Sequence, residues 1–279
     1  RTHITRLGEG VHASHRLRPE AIERTVAVLA DYAHELKRFG VGPGRARAVA
    51  TSACRDAENR DEFLDAAEAA LGFRPELLSG DEEARLSFTG ATAGLPADMG
   101  PVLVADIGGG STELIVGQPG RQPEDAVSMD IGCVRQTEQF FEADPPGPVG
   151  LANAIGWVRD ELEDLDRHHP GFAQAGVLVG LAGTVTTLAA LDLGMVDYDR
   201  DVIHHYVLEH DEVEDWFRRL AMGSRDDRLA NPGMPEGRVD VIVGGTVLVT
   251  IMRHYGFDHC LVSETDILHG LTATLRPTT

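Results

Sequence analysis

Lysine is all but absent from this chain. Lys37 is the one lysine in 279 residues, and every other permanent positive charge is an arginine. No G-x-x-x-x-G-K-[ST] segment occurs, which argues against a P-loop nucleotide site. Cysteine is scarce: Cys54, Cys133 and Cys260 are scattered, without metal-ligand spacing. An odd, sparse count fits reduced thiols in a cytoplasmic protein, each acting as a small buried hydrophobe, rather than a disulfide framework. No run of about 18 apolar residues is present, so no membrane span is expected. The opening RTHITRLGEG lacks the apolar core of a signal peptide. Bases are outnumbered 25 to 45, for a formal charge of −20. That balance argues against nucleic acid or an anionic membrane as a general partner. An anionic substrate must then be gripped locally, by arginines, backbone N–H groups and a metal. Arginine suits the task because its planar fork matches phosphate oxygens.

What is present is an α/β pattern long enough for two domains, with an ordinary 42% hydrophobic content. Its most informative segment is PVLVADIGGGSTELIVG, Pro101 to Gly117. It reads as strand, glycine-rich turn, strand. Gly108, Gly109 and Gly110 present backbone N–H groups with no side chains in front of them, and Ser111 and Thr112 add hydroxyls. That composition suits a phosphate. Asp106 and Glu113 stand one at each mouth of the turn, which suits a hydrated Mg²⁺ bridging protein and phosphate. The segment is not G-x-G-x-x-G and runs on into a strand rather than a helix, which argues against a dinucleotide site. The alternative is a plain glycine hairpin with a charged rim. Two carboxylates flanking a bare turn would repel a phosphate unless a cation sat between them, which weakens that alternative.

Elsewhere, residues 1–12 look extended and Pro19 opens a helix to about Phe39, with Gly40 at its C-terminal cap. A short strand is expected over 47–52 and a helix over 61–71. Ser79-Gly80-Asp81-Glu82 forms an S-x-x-E capping box at a new helix start. Gly94 to Gly100 is a candidate hinge, which divides the chain into an N-terminal domain, 1–95, and a C-terminal domain, 96–279, whose last helix packs back on the first. In the second half strands alternate with helices. Two segments repeat the order strand, glycine, Thr, helix: Val177 to Leu191, with Gly183 and Thr184 at the junction, and Val239 to Tyr255, with Gly244 and Gly245. Helix starts after glycines can hold anions, and the alternative is tight packing at a strand-to-helix connection.

In order, TSACRDAENRDEF, SGDEEARLSF, VADIGGGSTELIVG, DIGCVRQTE, VGLAGTVTTLAAL and VSETDILHGL resemble the exopolyphosphatase and guanosine pentaphosphate phosphohydrolase family. The resemblance runs from Arg1 to about Leu275. It implies the two-domain actin-like ATPase (ribonuclease H-like) fold, with the active site in an interdomain cleft. Family members begin with a strand carrying a D-x-G-[ST]-N-S type phosphate loop, and RTHITRLGEG resembles the segment just downstream of it, so an upstream portion is expected. The end at Thr279 resembles the family's short forms.

The resemblance also separates the two glutamates of the EEARL segment. Glu82 belongs to the capping box, whereas Glu83 matches the family's catalytic glutamate and becomes the candidate general base, orienting water in line with the terminal phosphorus. Its alternative is a solvated glutamate favoured by the helix dipole. Asp106 and Glu113 are expected to hold Mg²⁺. Gly108, Gly109, Gly110, Ser111, Thr112, Gly183 and Thr184 are expected to hold phosphate. Arg55 and Arg60 could grip further phosphates, with ordinary surface ion pairing as the alternative; Arg85 and Arg135 are weaker candidates. His168-His169 and His204-His205 lack metal-ligand spacing and read as loop histidines. No serine or cysteine has a nucleophile's activating pattern, which favours direct attack by water. The expected activity is release of the terminal phosphate of inorganic polyphosphate by a cytoplasmic homodimer. The alternatives are guanosine pentaphosphate hydrolysis, a phosphotransferase on the same fold, and a non-catalytic polyphosphate or alarmone sensor.

Overall fold

The computed structural model describes residues 3–238 and 241–275. The chain forms two compact units, Arg1–Glu83 with Leu271–Thr279, and Ala84–Gly270. The two divisions fall inside helices, before Ala84 and after Gly270, whereas the turn-rich segment 94–100 lies within the second unit.

The first unit holds α1 (Val11–Ser14), α2 (Pro19–Arg38), β1 (Val49–Ala50), α3 (Ser52–Asp56), α4 (Arg60–Leu71), β2 (Glu76–Leu77) and the start of α5 (Gly80–Ala91). Pro19 occupies the first helical position of α2, where its missing N–H costs nothing, and Gly40 just past the end takes φ +67. α2 lies against α4 over a core that includes Leu17, Phe63, Leu64 and Ala67. β1 and β2 pair in parallel. The sequence's extended reading of residues 1–12 gives way to a turn at 7–10 followed by α1, because Gly10 at φ +76 turns the chain. The strand expected over 47–52 is only two residues long, since Ser52 already opens α3.

The second unit contains the rest of α5, β3 (Val102–Ile107), β4 (Thr112–Gly117), β5 (Asp125–Met129), α6 (Cys133–Phe140), α7 (Pro148–His168), β6 (Val177–Leu181), α8 (Ala182–Asp192), α9 (Arg200–Ile203), β7 (Val207–Glu209), α10 (His210–Met222), α11 (Arg225–Leu229), α12 (Val241–Tyr255), β8 (His259–Val262) and the start of α13 (Ile267–Ala273), whose end belongs to the first unit. Its sheet runs β5-β4-β3-β6-β8-β7. β3, β4 and β5 form an antiparallel meander, β6 and β8 run parallel to β3, and β7 closes the edge antiparallel. Strand alternation assigns the two faces. Leu103, Ala105 and Ile107 join Leu114 and Val116 in the large core with α7, α8, α10 and α12. Val102, Val104 and Ile115 join Ala84, Phe88 and Ala91 of α5 on the opposite face.

One expected element is wrong. The strand read over Val239–Gly245 is helical from Val241 onward, as part of α12; residues 239–240 lie outside the described residues. The apolar run continues well past strand length, which points to a buried helix. Every residue from Gly245 to Met252 is buried, so no alternation or stripe marks it. Gly244-Gly245 therefore sits inside a helix and not at a strand-to-helix junction, which removes it as an anion site. A Cβ at Gly245 would make ordinary contact with Phe217 of α10, at 3.8 Å.

Candidate active site

Strand register builds the site's central row. Asp106 of β3 lies directly opposite Glu113 of β4, and Glu113 directly opposite Ser128 of β5. Residues so paired share one face of the sheet, here the face that α5 covers. Like charges in directly opposed positions repel. At about 5 Å and an effective dielectric near 20 the cost is about 3 kcal/mol. Each carboxylate is held by one hydroxyl. Ser87 of α5 donates to Asp106 Oδ2 at 2.7 Å, and Ser128 donates to Glu113 Oε1 at 2.7 Å. Glu113 is buried and Asp106 half-buried. Both residues have further interactions beyond these hydroxyls. Two adjacent carboxylates, without thiolate or imidazole among these contacts, suit a hard cation that keeps most of its waters, as Mg²⁺ does. Among the described residues no three or more His, Cys, Asp or Glu side chains gather as a metal-binding group.

Between Asp106 and Glu113 the glycine turn is clamped from behind by α6. The carbonyl of Gly108 accepts from Cys133 N–H at 3.0 Å. That of Gly109 accepts from Val134 N–H at 2.9 Å and Arg135 N–H at 3.2 Å. The carbonyl of Gly110 accepts from Arg135 Nε at 2.8 Å. In a trans peptide the C=O of one residue and the N–H of the next point in opposite directions. With these carbonyls turned toward α6, the N–H groups of Gly109, Gly110 and Ser111 turn away from it. None of them finds a backbone acceptor among the described residues. Consecutive N–H groups aimed into open space form an anion nest. The start of α6 is no anion site of its own, because its N–H groups are spent on the turn. Ser111 is buried and its hydroxyl has no partner among the described residues. Thr112 donates to the Ile131 carbonyl at 2.5 Å and is fully buried, so its hydroxyl proton serves the fold.

The parallel pairing of β3 with β6 sets Leu181 opposite Asp106. The start of α8, with Gly183 and Thr184, thereby lies beside the glycine turn at the C-terminal ends of the strands, where open α/β sheets bind ligands. α8 has no side-chain cap, and Ala182 before Gly183 takes φ +65, rare for a residue with a Cβ. Thr184 is buried. Arg238 is packed over Gly183 so closely that a Cβ there would lie 1.3 Å from its Nη1. A guanidinium at the positive end of a helix is unfavourable by itself and fits an anion between them.

In the first unit, Arg55 Nη1 donates to Glu83 Oε2 at 2.5 Å and to the Leu78 carbonyl at 3.2 Å. Glu83 is 8% exposed, and its Oε1 has no hydrogen bond among the described residues. Breaking such a buried pair from one side costs about 3–5 kcal/mol. Arg55 is thus engaged with the candidate base. Arg60 is exposed and reaches the Arg55 carbonyl at 3.4 Å. Glu82 closes the capping box: Ser79 N–H donates to Glu82 Oε2 at 3.0 Å, and Glu82 N–H to Ser79 Oγ at 3.3 Å.

The Ppx/GppA phosphatase family matches residues 1–277. The chain belongs to this family. Exopolyphosphatase 2 of Mycobacterium tuberculosis is 43% identical over 284 residues, covering 98% of this chain and 88% of the relative. The crystal structure of an exopolyphosphatase-like protein matches with a TM-score of 0.91 at 34% identity, covering 97% of this chain and 89% of that one. The Aquifex aeolicus Ppx/GppA structure matches with a TM-score of 0.79 at 30% identity, over 98% and 87%. The fold is accordingly the α/β actin-like ATPase fold of this family, and the protein is a phosphoanhydride hydrolase. No helix among the described residues is long and apolar enough to cross a membrane.

Around the carboxylate row and the glycine turn the structure places residues that the sequence reading missed. Ser87, Ser128 and Arg238 were not singled out, and DIGCVRQTE offered only Arg135 as a weaker phosphate candidate, although the segment supplies the clamp behind the turn. The signal for that clamp was present in Gly132. A Cβ there would lie 2.3 Å from the Gly109 carbonyl oxygen. The histidine pairs stay apart from this row. His168 and His169 accompany Asp164 and Asp125, and His204 stacks on His205 with ring centroids 3.8 Å apart.

Proposed function

We propose that this protein removes the terminal phosphate of inorganic polyphosphate by direct attack of water. The observation that carries the reading is the nest of Gly109, Gly110 and Ser111 N–H groups, set between two directly opposed carboxylates. The similarity to Exopolyphosphatase 2 supports the substrate class. Mg²⁺, held by Asp106 and Glu113, would neutralise charge on the transferred phosphoryl oxygens. The nest takes phosphoryl oxygens, with Arg238 and the start of α8 holding further phosphates of the chain. Glu83 accepts a proton from water at Oε1 as the water oxygen bonds to the terminal phosphorus. Arg55 keeps the Glu83 carboxylate in its orientation. The bond from that phosphorus to its bridging oxygen breaks, giving orthophosphate and a chain one unit shorter.

The test compares phosphate release from long-chain polyphosphate and from guanosine pentaphosphate, in wild type and in Glu83→Gln. Polyphosphate is the expected substrate. Glu83→Gln is expected to lose about 10²–10⁴-fold in kcat, the usual contribution of a general base, with polyphosphate binding retained. Release from guanosine pentaphosphate alone overturns the substrate. Undiminished turnover in the variant overturns the base.

A further inference from the structure

We infer that Ser87 and Ser128 are positioning residues that set the cation affinity of the Asp106–Glu113 pair. This rests on the proposed metal assignment and deepens it. The two serines reach the pair from different elements, α5 and the edge strand β5, yet make the same contact: one hydroxyl donated to one carboxylate oxygen at 2.7 Å. A hydroxyl bonded to a carboxylate fixes its rotation and lowers its energy without cancelling its charge. An arginine or lysine in either place would supply the same bond and remove the attraction for a cation. The two hydroxyls therefore orient the opposed carboxylates while leaving each a carboxylate. Hydrogen-bond partners behind metal-binding carboxylates characteristically change affinity by about 10–100-fold when removed.

The two positions also differ usefully. Ser87 is fully buried, so its replacement risks the packing of α5. Ser128 is exposed on a strand, where Ala or Thr fits without repacking and Thr keeps the hydroxyl.

The experiment titrates Mg²⁺ into the protein by calorimetry, without substrate, and follows the Mg²⁺-dependent rise in Tm. Wild type, Ser128→Ala, Ser128→Thr, Ser87→Ala and Asp106→Asn are compared, and the Mg²⁺ half-saturation of phosphate release is measured alongside. Ser128→Ala is expected to raise the Mg²⁺ Kd and half-saturation about tenfold, with a smaller effect on kcat at saturating Mg²⁺. Ser128→Thr is expected to restore the wild-type curve. Superposed Mg²⁺ curves for Ser128→Ala and wild type, with Asp106→Asn weakened, overturn the serine role and leave the metal assignment standing. Ser128→Thr as weak as Ser128→Ala also overturns it. A wild-type protein that binds no Mg²⁺ overturns the metal assignment and this inference with it.

Discussion

Gly132→Ala tests the site through a residue that would touch no substrate. Gly132 has φ −135 and ψ 159, a conformation open to alanine, so the obstacle is steric and not conformational. A Cβ would stand 2.3 Å from Gly109 O, 2.4 Å from Gly109 C and 2.5 Å from Gly110 C. These are backbone atoms, so no side chain can swing aside. Normal contact requires the turn to retreat by about 1 Å. Overpacking of this kind costs about 1–3 kcal/mol, and a second-unit-sized domain loses about 2–4 °C in Tm per kcal/mol. Catalysis is more sensitive, since a displacement of about 1 Å in a positioning element costs about 10²-fold. The assay pairs Tm with kcat/KM for phosphate release from polyphosphate. Gly156→Ala, in α7 with nothing within 4 Å of its Cβ, is the control. It is expected to gain about 0.5–1 kcal/mol in stability and keep wild-type kinetics. A Gly132→Ala protein with wild-type kcat/KM would show that the turn's N–H groups do not hold the reacting phosphate.

Gly183→Ala is expected to push the Arg238 guanidinium off the start of α8, because the added Cβ would fall 1.3 Å from Nη1. Arginine is flexible, so stability should hold while the KM for polyphosphate rises about tenfold, the worth of one hydrogen bond to a charged group. An unmoved KM would remove Arg238 from substrate binding. His204 supplies a pH dependence. Burial chiefly lowers its pKa, with His205, His269 and Arg200 lowering it further and Glu264 opposing them. Its Nδ1 also accepts from Glu264 N–H at 3.2 Å, a bond that protonation there would cost. As pH falls below about 6.5 the unfolded chain takes up this proton first, so stability drops until the folded His204 also protonates. His204→Gln should flatten the decline of Tm between about pH 6.5 and 5; identical slopes would show that His204 does not contribute.

The parts of the fold set by local chemistry were readable. Pro19 and Gly40 mark the ends of α2, the Ser79–Glu82 box starts α5, and the glycine turn joins β3 to β4. What needed three dimensions was register. Nothing in sequence order puts Ser128 beside Glu113 or Leu181 beside Asp106, because β5 and β6 reach their neighbours across separate connections. α12 was misread because burial on every side erases the periodicity that distinguishes helix from strand. Arg238 was invisible for the same reason as Ser128: its place is set by what it packs on, a glycine 55 positions earlier.

Three local rules are broken around the glycine turn, and all three fall within one end of one sheet. Two carboxylates face each other across a strand pair. Three successive N–H groups lack backbone acceptors among the described residues. A non-glycine, Ala182, holds a left-handed conformation at the first position of a helix that has no side-chain cap and has an arginine at its positive end. Each costs stability when considered alone. Such conflicts concentrate where a fold is shaped for something other than its own stability. On the proposed reading one ligand resolves them together: a cation settles the carboxylates, and the phosphate oxygens it bridges settle the N–H groups and the arginine. A structural explanation would need a separate compensation for each.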